Sequence, residues 1–293
     1  MTISPMAFEL PNLDGDPIRG DVCSAADDPV GGGGGGGGGD GGAAIVVCHG
    51  FKGFKDWGFF PYVSEQLAEQ TGHPVISFNF SGSGIGPDME HFSELGKFEK
   101  NTFSKELDDL GVVLKAAAKG HLPKLESLER FGLLGHSRGG GITILRARED
   151  KRVRALVTWS AISHVQRWSE DQKAEWRTRG KLEILNARTG QMMPLGVGLL
   201  VDTEANAQRL NIQNAASRLA IPYLIIHGTD DESVAIAEGR ALSETAPLET
   251  TRFEKIEGAG HTFGAVHPFI GTNEHLTRAI ELTARWFTEK LSE

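Results

Sequence analysis

Gly135-His136-Ser137-Arg138-Gly139 fits the pattern G-x-S-x-G, in which small residues let a serine sit on a sharp turn between a strand and a helix. An apolar run, Phe131 to Leu134, ends just before it, and a helical pattern begins just after it. Such a turn exposes the hydroxyl, and a helix N-terminus beneath it favours developing negative charge. A serine hydroxyl is a poor nucleophile until a base takes its proton, and imidazole, which titrates near neutrality, can take that proton and return it. Of the ten histidines, His261 is favoured, because Gly258-Ala259-Gly260-His261-Thr262-Phe263 follows the last expected strand. A carboxylate would hold the imidazole in one tautomer and stabilise the imidazolium. Three acids lie in Ile226-His227-Gly228-Thr229-Asp230-Asp231-Glu232, after the preceding strand. Spacing leaves Asp230 and Asp231 open, and Asp230 equally reads as a cap for the following helix.

A tetrahedral oxyanion needs backbone N–H groups aimed at it. One is expected from Arg138, the residue after the serine. The other is expected from Phe51, in the loop His49-Gly50-Phe51-Lys52-Gly53 that follows a buried apolar run. Other chemistries find less support. Gly82-Ser83-Gly84-Ile85-Gly86 lacks the G-x-G-x-x-G spacing of a dinucleotide site. The histidines and acids show no metal-ligand spacing, so no metal and no cofactor are expected.

These residues need strand ends to hold them, and the chain supplies strands in alternation with helices. Ala7–Leu10 and Ile18–Val22 alternate around the turn residues Asn12 to Pro17, as in a hairpin. Ala44–Cys48, Val75–Phe80, Phe131–Leu134, Val153–Trp159, Tyr223–Ile226 and Thr251–Ile256 read as further strands. Helices are expected over Pro61–Gln70, from Gly139 to Arg148 and from Val234 to Thr245. Phe103, Leu107, Leu110, Leu114 and Ala117 share one helical face, ended by Gly120, and Leu276, Ile280, Ala284, Phe287 and Leu291 share another. Alternating strands and helices imply a mostly parallel sheet with helices on both faces. The alternation breaks between Ser160 and Leu219, which reads as an inserted cap. Within it Lys181–Leu185, a turn at Asn186–Gly190, and Gln191–Pro194 predict a small hairpin.

Composition narrows the function classes. The 293 residues are 39% hydrophobic and 24% charged, an ordinary globular balance. The net charge of −9 disfavours a nucleic-acid partner. No run of 18 apolar residues occurs, and MTISPMAFEL does not read as a signal peptide, so neither a membrane nor export is expected and a cytoplasmic location fits best. Two cysteines, Cys23 and Cys48, cannot form a disulfide framework. Eleven of the 38 glycines fall between Gly31 and Gly42, interrupted by Asp40, and read as a loop between strands with no visible chemistry.

HGFKG at 49–53, NFSGSG at 79–84, GHSRGG at 135–140, HGTDDESV at 227–234 and GAGHTF at 258–263 together resemble the α/β-hydrolase superfamily, in the family's order and over nearly the whole chain. Within it the chain is similar to bacterial carboxylesterases of the cinnamoyl/feruloyl-esterase-like and dienelactone-hydrolase-like branches, which also carry HGF after a strand and a cap. The resemblance implies an α/β-hydrolase fold: a mostly parallel eight-stranded sheet flanked by helices, its core over 1–160 and 216–293 and its cap over 161–215. The family's H-G-x-x-D pattern selects Asp231 as the acid beside Ser137 and His261. It implies a serine carboxylesterase acting on small aryl or short-chain acyl esters. A peptidase or amidase of the same fold and a non-catalytic ligand-binding relative are the alternatives. Trp168, Trp176, Met192 and Met193 of the cap either line the substrate pocket or form the cap's own core. Two positions depart from the pattern. Ala235 stands where relatives often have proline, and Arg138 where many have methionine or glutamine, which puts a positive charge either near the pocket or against an acid outside it.

Overall fold

The computed structural model describes residues 5–24 and 42–292. The expected glycine-rich loop falls outside the described residues except for Gly42, which opens a strand. The elements run β1 (Met6–Pro11), β2 (Pro17–Cys23), β3 (Gly42–Cys48), α1 (Phe60–Thr71), β4 (Val75–Asn79), α2 (Leu95–Glu99), α3 (Phe103–Ala118), β5 (Leu128–His136), α4 (Arg138–Glu149) and β6 (Val153–Trp159). There follow α5 (Glu170–Arg179), β7 (Lys181–Asn186), β8 (Gln191–Gly196), α6 (Gly198–Ala205), α7 (Ile212–Ala216), β9 (Tyr223–Gly228), α8 (Ile236–Thr245), β10 (Thr251–Ile256) and α9 (Glu274–Leu291).

Eight strands form one sheet in the order β1-β2-β4-β3-β5-β6-β9-β10. The β1–β2 and β2–β4 pairs are antiparallel, and every pair from β4 to β10 is parallel. The sheet, its flanking helices and the inserted elements between β6 and β9 have the arrangement that the alternating pattern predicts. Strand β3 is buried along nearly its whole length, as its unbroken apolar run requires in a sheet covered on both faces.

Two helix layers cover the sheet. Helices α1 and α9 pack together in one, and α3 and α4 in the other, continued through α7 to α8. The face of α3 predicted from its spacing is buried throughout, as is that of α9. Thr102 and Asn273 cap these helices by accepting backbone N–H bonds. In the core Trp159 Nε1 donates to Thr283 Oγ1 at 2.9 Å, which ties β6 to α9 and satisfies both buried groups.

Strand β3 lies between β4, which follows it in the chain, and β5, so the strand order reverses there. Ligands of open α/β sheets bind at such a reversal, beyond the carboxyl ends of the strands. Strands β7 and β8 form the predicted hairpin as a separate two-stranded sheet, with Lys181 opposite Gly196 and Asn186 opposite Gln191. The short helices α2, α6 and α7 carry no readable helical period; α6 opens on the apolar run Leu199-Leu200-Val201. Among the described residues no helix is long and apolar enough to cross a membrane.

Candidate active site

Ser137 stands between the last residue of β5 and the first of α4, with φ 58° and ψ −120°. That is a costly conformation for a residue with a side chain, and it persists only where the surroundings over-determine it. Here they do. The Ser137 N–H donates to Trp159 O at 2.9 Å. Its carbonyl accepts from Gly140 N at 3.0 Å and from Gly141 N and Ile162 N, both at 3.3 Å. The flanking glycines are required by close approach: a Cβ on Gly135 would lie 2.4 Å from Thr143 Oγ1, and one on Gly139 would lie 2.4 Å from His49 O.

Asp231 and His261 come together from the loops after β9 and β10. His261 Nδ1 lies 2.8 Å from Asp231 Oδ2, and the Asp231 side chain is fully buried. Its other oxygen accepts from Ser233 N and Val234 N, both at 2.9 Å. Burial pushes the carboxyl pKa up, but hydrogen bonds from His227 and His261 outweigh it and hold the group well below the usual carboxylate range. Asp231 is therefore an anion at neutral pH. Asp230, the other acid left open by spacing, is exposed and accepts from Thr229 Oγ1 at 3.0 Å.

Three further histidines support these loops, and local pattern gave none of them a role. His227 Nε2 donates to Val234 O at 2.8 Å and lies 3.4 Å from Asp231 Oδ2. His136 Nε2 donates to His261 O at 2.9 Å, and burial, followed by the neighbouring His261, pushes its pKa down to about 3. His49 donates through Nδ1 to Gly50 O at 2.9 Å and accepts through Nε2 from Phe80 N at 3.2 Å. Burial lowers its pKa to about 4, so it stays neutral and joins the 49–53 loop to the end of β4. Their one sequence signal is position: His136 ends β5, His49 directly follows β3, and His227 is the last residue but one of β9.

Among the described residues neither the Phe51 nor the Arg138 backbone N–H has a protein acceptor. The Arg138 side chain turns to Glu106, with Nε 2.7 Å from Oε2, and its guanidinium lies 3.8 Å from the Phe103 ring centroid. Both sequence alternatives for Arg138 thus hold at once, since it pairs with a buried acid and also borders the cavity.

Ser137 and His261 line one cavity of about 870 Å³ together with Phe51, Arg138, Trp57, Phe103, Ile162, Val165 and Trp168. Of the four cap residues singled out from the sequence, only Trp168 reaches it. Trp176 is fully buried behind Trp168, their rings edge to face at 4.8 Å, and its Nε1 donates to Leu195 O at 2.7 Å. Met193 is buried in the core, and Met192 points outward at 47% exposure. Among the described residues no three His, Cys, Asp or Glu side chains are grouped to hold a metal ion.

Residues 45–273 match the model of the alpha/beta hydrolase family. The fold is similar to that of Est1E from Butyrivibrio proteoclasticus with ferulic acid bound, at a TM-score of 0.72 and 20% identity, over 98% of this chain and all of that one. It is also similar to a dienelactone hydrolase from Anabaena variabilis, at a TM-score of 0.60 and 17% identity over 99% of each chain. In sequence it is 25% identical to the 2,6-dihydropseudooxynicotine hydrolase of Paenarthrobacter nicotinovorans over 210 residues, which are 70% of this chain and 48% of that protein. The chain thus spans about half the length of that relative.

Proposed function

We propose a function from one established premise: the chain belongs to the alpha/beta hydrolase family. The proposed reaction is hydrolysis of a carboxylic ester through an acyl-serine. Ser137 Oγ attacks the carbonyl carbon while His261 Nε2 takes the hydroxyl proton. Asp231 holds His261 by its Nδ1–H and stabilises the imidazolium. The Phe51 and Arg138 amides receive the oxyanion. Collapse of the tetrahedral intermediate expels the alcohol, which takes the proton from His261. A water then gives its proton to His261 and attacks the acyl carbon, releasing the acid and restoring Ser137.

One observation carries this reading. The 2.8 Å Asp231–His261 hydrogen bond and the strained Ser137 turn border the same cavity. The walls formed by Trp57, Phe103 and Trp168 favour an aryl or short aliphatic acyl group.

The test is fluorophosphonate labelling of the wild type and of Ser137→Ala, beside turnover of p-nitrophenyl esters of rising chain length, methyl ferulate and an anilide. Labelling confined to the wild type is expected, with ester turnover that falls by about 10⁶-fold in the variant. Ester turnover retained by Ser137→Ala would sink the assignment. A sharp preference for the anilide would favour an amidase, and an unlabelled wild type a binding protein.

A further inference from the structure

We infer that the substrate carries a carboxylate, and that Lys52 and Arg188 receive it. This rests on the hydrolase reading above and narrows its substrate class.

The chain holds 39 acidic and 30 basic residues, yet its cavity has the opposite sign. Lys52, Arg138, Arg167 and Arg188 line it, and among the described residues no aspartate or glutamate does. Two of these cations are already neutralised: Glu106 pairs with Arg138 and Glu238 with Arg167, each at 2.7 Å. Lys52 and Arg188 have no carboxylate partner among the described residues.

What holds these two in place is neutral. Lys52 Nζ donates to Leu185 O at 3.2 Å, and Arg188 Nη2 donates to Lys52 O at 2.7 Å. The Arg188 guanidinium lies 4.7 Å from the Trp57 ring centroid. The tip of the β7–β8 hairpin is thereby tied to the loop after β3, and two like charges are held side by side. Burial lowers the Lys52 pKa, and the Arg188 charge adds to the lowering.

Position links this charge to the reacting ester. Arg188 borders the same narrow cleft as Ser137 and His261, about 50 Å³ in volume. An anion received there belongs to the same small molecule as the scissile bond. The rest of the wall is mostly apolar, so the fitting ligand has a hydrophobic body and one charged end. A carboxylate, flat and singly charged, suits an ammonium beside a guanidinium. It can sit on the acyl side or on the alcohol side of the ester.

The experiment uses the full chain and pairs each acid with its neutral isostere. For the acyl side, the 4-nitrophenyl monoester of glutaric acid is compared with its terminal amide. For the alcohol side, 3-carboxyphenyl butanoate is compared with 3-carbamoylphenyl butanoate. The acid is expected to exceed its amide in kcat/KM by about tenfold or more in at least one arm. That ratio falls to near one in the double variant Lys52→Gln/Arg188→Gln and survives in Lys52→Arg/Arg188→Lys. A ratio of one or less in both arms, or one unchanged in the double Gln variant, overturns the proposal.

Calorimetric titration with glutarate and with benzoate keeps this test separate from the hydrolase reading. If no ester is turned over, that reading fails by itself, and the titration decides the anion site. Binding lost in the double Gln variant supports it; absent binding, or binding equal in both proteins, overturns it.

Discussion

His227 Nε2 and His261 Nδ1 converge on one carboxylate oxygen, Asp231 Oδ2, at 3.4 and 2.8 Å. His227 is fully buried, and its Nε2–H is committed to Val234 O and to this oxygen. It therefore acts on the proposed base at one remove, by fixing the carboxylate that fixes His261. His227→Ala should lower kcat by about 10- to 100-fold with KM little changed, as expected when a supporting group is displaced by an ångström or so. His227→Gln, which can place a donor near the same point, should recover most of the loss. Steady-state kinetics beside a melting curve check this; equal kcat in all three folded proteins contradicts it.

Asp231 and Asp230 are neighbours in sequence with opposite surroundings, one fully buried against two histidines and the other exposed. Asp231→Asn should lower kcat by about 10⁴-fold, because an amide no longer selects the required tautomer of His261. Asp230→Asn should leave kcat within about twofold of the wild type, as for most exposed substitutions away from special contacts. Turnover of p-nitrophenyl butanoate measures both, and a large loss in Asp230→Asn would reverse the assignment.

Stability should fall on acidification well before ordinary carboxylates titrate. Burial lowers the His49 pKa to about 4 and that of His136 to about 3, against an ordinary 6.5. Below pH 6.5 the unfolded chain takes up protons that the folded chain refuses, so stability is lost as pH falls towards 4. Asp109 works in the opposite sense: burial raises its pKa to about 6 from 3.8, so the folded state gains a proton first and offsets part of the loss. Melting temperatures at pH 7.5, 5.5 and 4.5 should decline, and more steeply in Asp109→Asn. A flat profile would contradict the neutral state assigned to the two histidines.

Gly139 and Gly198 differ in what a methyl group would meet. At Gly139 it would lie 2.4 Å from a backbone oxygen, and at Gly198, in the first turn of α6, nothing lies within 4 Å. Gly139→Ala should destabilise by about 2–3 kcal/mol or more, since backbone must move to admit it. Gly198→Ala should stabilise by about 0.4–1 kcal/mol by reducing the freedom of the unfolded chain. Urea midpoints at constant m-value measure both.

The parts of the molecule governed by local pattern were readable from the sequence. The strand–turn–helix around Ser137 and the hairpin opposing Lys181 with Gly196 follow from periods of two and 3.6 and from turn residues. Other features depend on direction in space, which spacing does not encode. Asp230 and Asp231 separate only once the turn after β9 points one inward. Trp176 and Met193 are as apolar as Trp168, and nothing in their neighbours says which of the three faces a cavity. Arg188 meets Lys52 across 136 residues, a contact no local window contains. His49 and His136 escaped for the same reason, because Phe80 N and His261 O, which they meet, lie at other strand ends.

The elements carrying Trp168 and Arg188 leave the sheet after Trp159 and rejoin it at Tyr223, on the neighbouring strand. The parallel ladder from Leu156–Tyr223 to Trp159–Ile226, extended by Ser160 N to Ile226 O at 2.9 Å, sets the two strands about 4.8 Å apart, so the stretch leaves from the carboxyl end of β6 and returns to the amino end of β9. Within it the β7–β8 hairpin pairs with no strand of the main sheet, so its length can change without moving any strand register. That hairpin is the exchangeable part: under the hydrolase reading, a new substrate preference can arise there while the Ser137 turn, held in part by Ile162, and the Asp231–His261 pair stay as they are. Lys52, anchored in the constant half, would outlast such an exchange as the trace of an earlier preference.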